Sequence, residues 1–289
     1  MRKSNTTECI NFVTREKYHS QTQAAFNLAS ITIRVMTDKP HFIKLKKVES
    51  TNSYAASLLK SEQVKEATVV WSQEQTSGKG QGDNRWESEP GKNLTFSWIL
   101  FPHFLPPDRQ FLLNKMISLG VSDFLIKLQI PLPVSIKWPN DIYLENKKVG
   151  GILINNTICG DRLATAVVGI GLNVNQMHFS NDTPNAVSVR QVTGNKTDLK
   201  SGLRELVNNL NLRYAQLRSG AYESLETDYL DRLLGYQQWR TFRAKNHEFE
   251  GKVQGVDEYG RLIVLTRKNE SALFDHGKIE FLFKSHVIS

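Results

Sequence analysis

Hydrophobic and polar positions alternate in different ways along this chain, and the changes predict its elements. From His41 to Val48 apolar and polar residues alternate, as in a half-buried strand. The next stretch, ESTNSYAASLLKSE, predicts a helix that begins near Ser50, Thr51 or Asn52, because each of these residues caps helices well. ATVVWSQEQ and NLTFSWIL predict two strands that flank a glycine-rich loop as a long hairpin.

The middle of the chain combines a buried helix with further strands. PPDRQFLLNKMISLGVSDFLIKL has proline at its front and apolar residues at helical spacing, so it predicts a buried helix. VSIKWPNDIYLENKKVGGILINN predicts a strand, a turn and a strand, with Lys148 on the second strand. LATAVVGIGLNVNQ predicts one more strand, and the segment from Leu199 to Leu234 predicts one or two amphipathic helices.

From Gly235 the pattern changes to short alternating strands separated by the turn sequences DEYG and RKNE, which is typical of a small β-barrel. Residues 1–38 are polar and lack a sustained period, which predicts an N-terminal extension without fixed structure. We therefore predict an α+β protein with an extension over residues 1–38, a large domain over 39–234 and a small all-β domain over 235–289.

Composition narrows the class of protein. The hydrophobic fraction of 39% suits a soluble globular chain, and no apolar run is long enough to cross a bilayer. Cys9 and Cys159 are far apart and the histidines are scattered, so we expect no disulfide framework, no tightly bound transition metal and a cytoplasmic location. The net charge of +8 is spread along the chain without a helix-turn-helix pattern, so we expect neither specific DNA binding nor membrane binding.

Four segments place polar or charged residues at strand ends, and all but the first combine them with glycine: ESTN, the loop QTSGKGQGDNRW, KWPND with the nearby KKVGG, and GIGLNVN. In the loop, Gly78, Gly80 and Gly82 permit close backbone approach to a ligand, Lys79 adds a cation, and Trp86 is placed to cover the ligand or to anchor the loop. The loop has neither the GxxxxGK[ST] of a P-loop nor the helix that follows a dinucleotide-binding motif. By itself it fits a polar hairpin tip equally well.

The other segments carry charge and amide groups. Lys137 and Asp141 of KWPND fit either a surface ion pair or a phosphate site, in which lysine contacts oxygens and aspartate holds magnesium. Lys148 lies just before a glycine pair, where an anion would lie against the backbone. Asn173 both donates and accepts hydrogen bonds, as recognition of an adenine edge requires, but it also fits a turn cap.

In order and spacing these segments resemble the biotin–protein ligases, and the resemblance runs from about Phe42 to the C-terminus. It implies a mixed-sheet catalytic domain similar to class II aminoacyl-tRNA synthetases, followed by a small SH3-like β-barrel, in the form without an N-terminal DNA-binding domain. It also implies synthesis of biotinyl-5′-AMP from biotin and ATP with Mg²⁺. Biotin is then transferred to a lysine of a biotin carboxyl carrier domain, usually that of acetyl-CoA carboxylase.

The resemblance assigns site residues by position. Lys148, Lys137 and Asp141 would act at the carboxyl group, the phosphates and the metal, with Asp141 as the magnesium ligand. Asn173 would contact adenine. The contacts to biotin and the adenylate would come from Ser50, Thr51, Asn52, Gln75, Gly78, Lys79, Gly80, Gln81, Trp86, Gly151, Ile152, Gly169, Gly171 and Asn173.

The chain departs from the family pattern at several positions. The family loop reads close to GRGRxGRxW, with arginines where this chain has Lys79 and Gln81. Because Gln81 is uncharged and lysine lacks the bidentate fork of arginine, we expect the loop to rely on backbone amides, with Lys137 and Lys148 carrying most of the positive charge. Asp83 adds a carboxylate to the loop, and Asn155 stands where glutamate is frequent.

Other functions stay open at this point. A lipoate or octanoate ligase or transferase would share the fold, although KWPND and the terminal barrel favour biotin. A biotin-responsive repressor would need a winged helix, which the residues before ESTN do not predict. A catalytically silent binding module would fit the altered loop. The sequence does not decide between a monomer and a homodimer, and it does not name the carrier protein.

Overall fold

A computed structural model describes residues 40–61, 64–82 and 84–283. The predicted extension over residues 1–38, with Cys9, and the loop residue Asp83 lie outside the described residues. The strands are β1 (Phe42–Leu45), β2 (Thr68–Ser72), β3 (Leu94–Leu100), β4 (Val134–Lys137), β5 (Asp141–Leu144), β6 (Lys147–Cys159), β7 (Arg162–Leu172), β8 (Trp239–Ala244), β9 (His247–Val256), β10 (Leu262–Thr266), β11 (Ser271–Phe274) and β12 (Glu280–Leu282). The α-helices are α1 (Thr51–Ser61), α2 (Phe111–Lys127), α3 (Val189–Thr193), α4 (Leu199–Arg218) and α5 (Tyr222–Arg232), and a 3-10 turn covers Pro107–Arg109.

Seven strands form one mixed sheet in the order β1-β2-β3-β7-β6-β5-β4. β1 pairs with β2 in parallel, and the remaining neighbours pair antiparallel. β2 and β3 are buried along their whole length, which explains why both read as nearly continuous apolar runs. A mixed sheet covered by helices is the α+β architecture that the sequence predicted.

The two faces of this sheet carry separate apolar clusters. Val69 and Trp71 belong to the main core, whereas Val70 between them packs in a smaller cluster with Ala55 and Leu58 of α1. Because successive strand residues point to opposite faces, α1 covers the face opposite the main core. The helix predicted to begin near Ser50 is therefore confirmed, and α1 is fixed with its first turn at the edge of a cavity described below.

Helices α2, α4 and α5 form the other layer. At Gly120 of α2 a Cβ would lie 2.8 Å from the Leu210 side chain of α4, so the two helices approach closely there. Arg213 of α4 is buried and pairs with Asp123 of α2 and with Asp228 of α5, which ties the three helices together. Burial raises the pKa of Asp123, but the guanidinium groups of Arg213 and Arg232 together outweigh it and hold that pKa below its usual value.

The C-terminal strands form a five-stranded antiparallel sheet in the order β11-β10-β9-β8-β12, with turns at DEYG and RKNE as predicted. Its buried residues, such as Phe242 and Val253, are continuous with the main core. Two of its loops pack on Trp138, whose indole donates a hydrogen bond to the Gly260 carbonyl (2.9 Å) and faces the ring of His276. The C-terminal sheet therefore supports the turn that contains KWPND.

Three local predictions need correction or completion. VSIKWPNDIYLENKKVGGILINN forms three strands, β4, β5 and β6, because a second turn at Glu145, which adopts a positive φ of 55°, follows KWPND within a few residues. Lys148 therefore lies on the third strand. The segment from Leu199 to Leu234 forms two helices, since Gly220 (φ 79°) ends the first. The short helix α3 was not predicted. No helix in the described ranges is long and apolar enough to span a membrane.

Candidate active site

A cavity of about 420 Å³ opens where ESTN and the three glycine-containing segments meet. ESTN lies at the first turn of α1, KWPND at the turn between β4 and β5, KKVGG on β6, and GIGLN at the end of β7. All predicted site residues except Gly78 and Asn173 line this cavity: Ser50, Thr51, Asn52, Gln75, Lys79, Gly80, Gln81, Trp86, Lys137, Asp141, Lys148, Gly151, Ile152, Gly169 and Gly171.

Strand register explains why residues distant in sequence meet here. Lys137 is directly opposite Asp141, Asp141 is opposite Gly151, and Gly151 is opposite Gly171, so these residues form one row across four strands. Residues in one row point to the same face of a sheet. The row combines charged side chains at one end with glycines at the other, which leaves open space above the glycines.

That space is filled from above by two side chains. A Cβ at Gly171 would lie 2.6 Å from Cζ2 of Trp86, and a Cβ at Gly169 would lie 2.7 Å from Nδ2 of Asn52. Both positions therefore require glycine because Trp86 and Asn52 pack directly on the backbone. The tryptophan therefore anchors the loop to the sheet.

One end of the cavity consists of uncharged polar groups that bond to one another. Gln75 Oε1 accepts hydrogen bonds from the Thr51 backbone N–H (2.7 Å) and hydroxyl (3.0 Å). The Ser97 hydroxyl donates to Asn52 Oδ1 and also lies 2.8 Å from the Thr51 hydroxyl. Asn52 Nδ2 in turn donates to the Leu153 carbonyl (3.2 Å). We call Thr51, Asn52, Gln75 and Ser97 the neutral end.

Asn155, where the family frequently has glutamate, belongs to the same network. Its Oδ1 accepts a hydrogen bond from Asn52 Nδ2 at 3.2 Å. The amide thus fixes the orientation of Asn52 without bringing a charge to the neutral end. The departure from the family pattern is compatible with an intact network.

The opposite end of the cavity is cationic. Lys148 Nζ pairs with Asp141 Oδ1 (2.6 Å) and lies 5.9 Å from the ring centroid of Trp86. The backbone of Lys148 is held by hydrogen bonds to Asn185 and Val187, so the whole residue is positioned. We call Lys79, Arg85, Lys137 and Lys148, which all line this cavity, the cationic end.

Lys137 lies directly opposite Asp141, so the predicted proximity of the two residues is confirmed. Of the two interpretations left open for them, the ion pair is not formed, because the described partner of Asp141 is Lys148. Lys137 Nζ instead lies over the rings of Tyr143 (5.7 Å) and Phe281 (5.6 Å). Burial lowers the pKa of Lys137, while the nearby Asp141 carboxylate opposes that effect.

The loop itself is folded against the cavity. Gln81 Oε1 accepts a hydrogen bond from Asn140 Nδ2 (2.8 Å), and Asn140 also donates to the Ile152 carbonyl (2.6 Å). Gln81 therefore links the loop to KWPND through a neutral contact. Gly78 lies outside the cavity lining. A Cβ there would clash with the Trp86 carbonyl, so glycine is required where the two sides of the loop approach each other.

Asn173 lies in an adjoining second cavity of about 230 Å³. Its Nδ2 donates to the Val187 carbonyl (3.2 Å), whereas its Oδ1 is buried and has no hydrogen-bond partner within the described part of the chain. A buried acceptor without a partner is costly, so this oxygen is suited to a donor on a ligand. The two cavities meet beside Trp86 and share it in their linings.

Sequence reasoning missed several lining residues. Arg85 lies within the quoted loop, but it was assigned no role because it does not occupy a position where the family has arginine. Asp182 and Thr183 come from a polar segment without a motif, and they line both cavities. His276 reaches the cavity from the C-terminal sheet, and burial lowers its pKa. Only tertiary structure brings these last three residues to the site.

Comparison with known proteins gives consistent matches. Residues 45–173 match the model of the biotin/lipoate A/B protein ligase family. The bifunctional ligase/repressor BirA of Bacillus spizizenii is 28% identical over 239 residues, which are 81% of this chain and 72% of that protein. The biotin–[acetyl-CoA-carboxylase] ligase of Paracoccus denitrificans is 28% identical over 76% of this chain and 92% of its own length. The structure of the Aquifex aeolicus biotin protein ligase in complex with biotin and ATP matches with a TM-score of 0.69 and 26% identity, over 84% of this chain and 99% of that one.

Proposed function

Because the chain belongs to the biotin/lipoate A/B protein ligase family, we propose that it is an ATP-dependent biotin–protein ligase. The enzyme joins biotin and ATP into biotinyl-5′-AMP and pyrophosphate, and then transfers biotin to a lysine of a biotin carboxyl carrier domain. The observation that carries this proposal is the single cavity in which a neutral hydrogen-bonding end faces a cationic end. Biotin has a matching polarity, with a neutral ureido ring at one end and a carboxylate at the other.

The neutral end is suited to the ureido ring. That ring offers two N–H donors and a carbonyl acceptor, so hydroxyl and amide side chains fit it without any charge. Ser50, Thr51 and Asn52 lie buried at the first turn of α1, and Gln75 lies opposite. Their mutual hydrogen bonds fix the rotamers before ligand arrives, so little ordering entropy remains to be lost on binding.

The cationic end is suited to the reacting groups. Attack of the biotin carboxylate on the α-phosphate forms a C–O–P linkage and releases pyrophosphate, and it brings two anions together. Fixed cations stabilise the charge that develops in such a step. Lys148, held by Asp141 and by the backbone of residues 185–187, contacts the carboxyl and α-phosphate oxygens, and Lys137 contacts the phosphates.

Magnesium is part of the proposal as the ion that accompanies ATP. Asp141 and Asp182 both line the cavity, and no group of three acidic, histidine or cysteine side chains occurs in the ranges that the structure describes. This donor set fits Mg²⁺, which commonly takes one or two carboxylates and completes its shell with phosphate oxygens and water. When bound, the ion would neutralise phosphate charge, with Asp141 as its protein ligand.

The nucleotide lies on the other side of Trp86. Asn173 Oδ1 is the buried acceptor without a partner, and the exocyclic amine of adenine is a donor that fits it. Ile152 and the glycines Gly151, Gly169 and Gly171 line the first cavity below Trp86 and Asn52. The mixed anhydride therefore forms beside Trp86, where the two cavities meet.

The glycine loop excludes water from this point. Lys79, Gly80 and Gln81 line the cavity, and Gln81 holds the loop to Asn140. Biotinyl-5′-AMP is a mixed anhydride, so its lifetime depends on exclusion of water until the acceptor arrives. The acceptor amine then attacks the biotinyl carbonyl, the C–O bond to phosphate breaks, and AMP leaves. No side chain of the enzyme needs to act as the nucleophile.

Four further features belong to the proposal. The seven-stranded part, over residues 39–234, is a catalytic domain similar to class II aminoacyl-tRNA synthetases, and residues 235–289 form an SH3-like barrel. The carrier domain belongs to a biotin-dependent carboxylase, as the name of the Paracoccus denitrificans relative suggests. A cytoplasmic location is the simplest expectation for such an enzyme.

The direct test combines the purified protein with biotin, ATP, Mg²⁺ and a biotin carboxyl carrier domain. We expect biotin-dependent release of pyrophosphate and labelling of one carrier lysine, detected by mass spectrometry. A matched reaction with lipoate in place of biotin serves as the control. Labelling from lipoate but not from biotin would reassign the enzyme to the lipoate branch, and no labelling from either would overturn the activity.

A further inference from the structure

The boundary between the two cavities has a small set of residues in common. Arg85, Trp86, Lys148, Asp182 and Thr183 line both of them. If biotin occupies the first cavity and the nucleotide the second, the phosphate that joins them must lie at this boundary. Two cations are present there, and the sequence analysis assigned a role to only one of them, Lys148.

The other boundary cation, Arg85, is directed by the backbone of the loop. The Gly80 N–H donates to the Asn84 carbonyl (2.8 Å) and the Trp86 N–H donates to the Gly78 carbonyl (2.9 Å), so the loop is a short antiparallel hairpin. Within it Lys79 and Arg85 are directly opposite each other. They form the pair that lies between these hydrogen bonds, for which side chains are closest and point to one face.

Two cations directly opposite on one face repel each other unless an anion lies between or above them. In the described ranges, neither Lys79 nor Arg85 has an acidic side chain within salt-bridge distance. Asp182, which shares the boundary, is not paired with either of them in those ranges. The hairpin therefore holds two positive charges side by side, facing the cavity, at a position where the proposed reaction brings a phosphate.

We propose that Arg85 binds the α-phosphate of ATP and of biotinyl-5′-AMP, together with Lys148 and with Lys79 beside it. This inference rests on the proposed ligase activity and adds a catalytic residue to it. The planar guanidinium donates two parallel hydrogen bonds to a phosphate, which a lysine does not. Arg85 thus supplies the fork-shaped cation that the loop lacks at Lys79 and Gln81, from a different position of the same hairpin.

The proposal extends the positive charge at the phosphate from Lys137 and Lys148 to the loop. Four cationic side chains line the first cavity, and two of them belong to the loop.

The test compares Arg85→Gln and Arg85→Lys with the wild type. Arg162→Gln is the matched control, because Arg162 is an exposed surface arginine that lines neither cavity. Each variant is titrated with biotinamide, which is neutral, and with an unreactive biotinyl-5′-AMP analogue that keeps the phosphate charge. Pyrophosphate release and the KM for ATP are measured in parallel, and thermal unfolding confirms that every variant is folded.

We expect Arg85→Gln to weaken the analogue roughly 10- to 100-fold, the loss typical of a hydrogen-bonded charge, while biotinamide binds within about twofold of wild type. Arg85→Lys should fall between, and Arg162→Gln should match the wild type. Analogue affinity of Arg85→Gln within about threefold of wild type overturns the proposal. An equal loss for biotinamide and analogue also overturns it, because the residue would then act only on loop structure. A wild type that releases no pyrophosphate would instead refute the ligase activity, so the two failures are distinguishable.

Discussion

The two ends of the cavity differ in how far their polar and charged groups are paired within the protein when no ligand is bound. At the neutral end, Thr51, Asn52, Gln75 and Ser97 bond to one another and to the backbone, and Asn155 completes the set. At the cationic end, Lys148 has Asp141, but Lys137 lies on aromatic rings and Lys79 stands opposite Arg85. One end is satisfied by the protein itself, and the other contains more positive charge than the described acidic residues neutralise.

This difference indicates a division of labour between recognition and reaction. A prearranged set of uncharged donors and acceptors selects the ureido ring by shape and hydrogen bonding, and it changes little during the reaction. A concentration of cations is costly in the free enzyme and becomes favourable as the phosphate and carboxylate approach each other. Changes at the neutral end should therefore affect biotin affinity, and changes at the cationic end should affect adenylate formation.

The largest effect is expected from Lys148→Met. Removal of the positioned cation should lower the rate of pyrophosphate release about 100-fold or more, the magnitude found when one preorganised charge-stabilising donor is lost. Biotinamide affinity should stay close to that of wild type. Lys147→Met is the matched control, because Lys147 is its exposed neighbour on β6. Near-normal turnover of Lys148→Met would remove this lysine from the reaction.

Thr51→Val disrupts the hydrogen bonds of the neutral end. The substitution keeps the shape of the side chain but removes the hydroxyl that donates to Gln75. Because Gln75 then loses part of its orientation, biotinamide affinity should fall roughly tenfold, measured by calorimetric titration. The affinity for ATP alone should not change. Ser53→Ala, at an exposed position of the same helical turn, controls for effects on α1. An equal loss of ATP affinity would show that the two ends are not separate.

Trp86, at the boundary between the two cavities, is displaced by Gly171→Ala. The added methyl group would lie 2.6 Å from Trp86 Cζ2, so the indole must move and the loop must shift with it. Overpacking of this kind should weaken biotinamide and the adenylate analogue alike, each by roughly tenfold. Gly202→Ala, where the Cβ would meet Thr197 at an ordinary 3.6 Å, is the control. Unchanged binding would mean that Trp86 does not separate the sites.

A smaller effect is expected from pH. Burial lowers the pKa of Lys137, so this lysine loses its proton at lower pH than an exposed lysine does. Affinity for the adenylate analogue should decline as the pH rises, at lower pH than the range near about 10.4 in which an exposed lysine titrates, whereas biotinamide affinity should not. Lys137→Arg keeps its charge and should flatten that decline. The same profile in wild type and Lys137→Arg would contradict a role for Lys137 at the phosphates.

The proton on Lys137 also affects stability, with a definite sign. Because its pKa is lower in the folded than in the unfolded state, the unfolded state binds more protons in that pH window. The contribution of Lys137 to the free energy of unfolding therefore increases as pH rises between the two pKa values. Loss of ligand affinity and gain of stability with rising pH would thus occur together, which excludes unfolding as the reason for weaker binding.

Local sequence patterns were sufficient for most elements and for most cavity residues. The strands around Val70 and Phe96 and the helix that begins after Ser50 follow directly from their periodicity and caps. Ser50, Lys148 and Gly171 were assigned because they lie in ESTN, KKVGG and GIGLNVN, three of the segments that carry the resemblance to the biotin–protein ligases. Two errors came from the crowded region around KWPND, where two turns follow each other within a few residues and a single turn was predicted.

Other features depend on tertiary packing that periodicity does not encode. His276 enters the cavity because the C-terminal sheet packs on Trp138, and Asp182 enters because its segment pairs with the backbone of Lys148. Nothing in their neighbouring residues indicates a site. Arg85 is different, since it lies within the glycine-rich loop that the sequence already marked as a candidate ligand site. The hairpin pairing that points it to the same side as Lys79 becomes apparent only from the backbone hydrogen bonds.

The separation of the two ends is tested most directly by the salt dependence of binding to the wild-type protein. Dissociation constants for biotinamide and for the charged adenylate analogue are measured at about 0.05 and about 0.5 M salt, where screening lengths differ about threefold. We predict that the analogue binds several-fold more weakly at high salt, while biotinamide affinity changes by less than about twofold. Equal salt dependence for the two ligands would contradict the division of the cavity into a neutral and a cationic end.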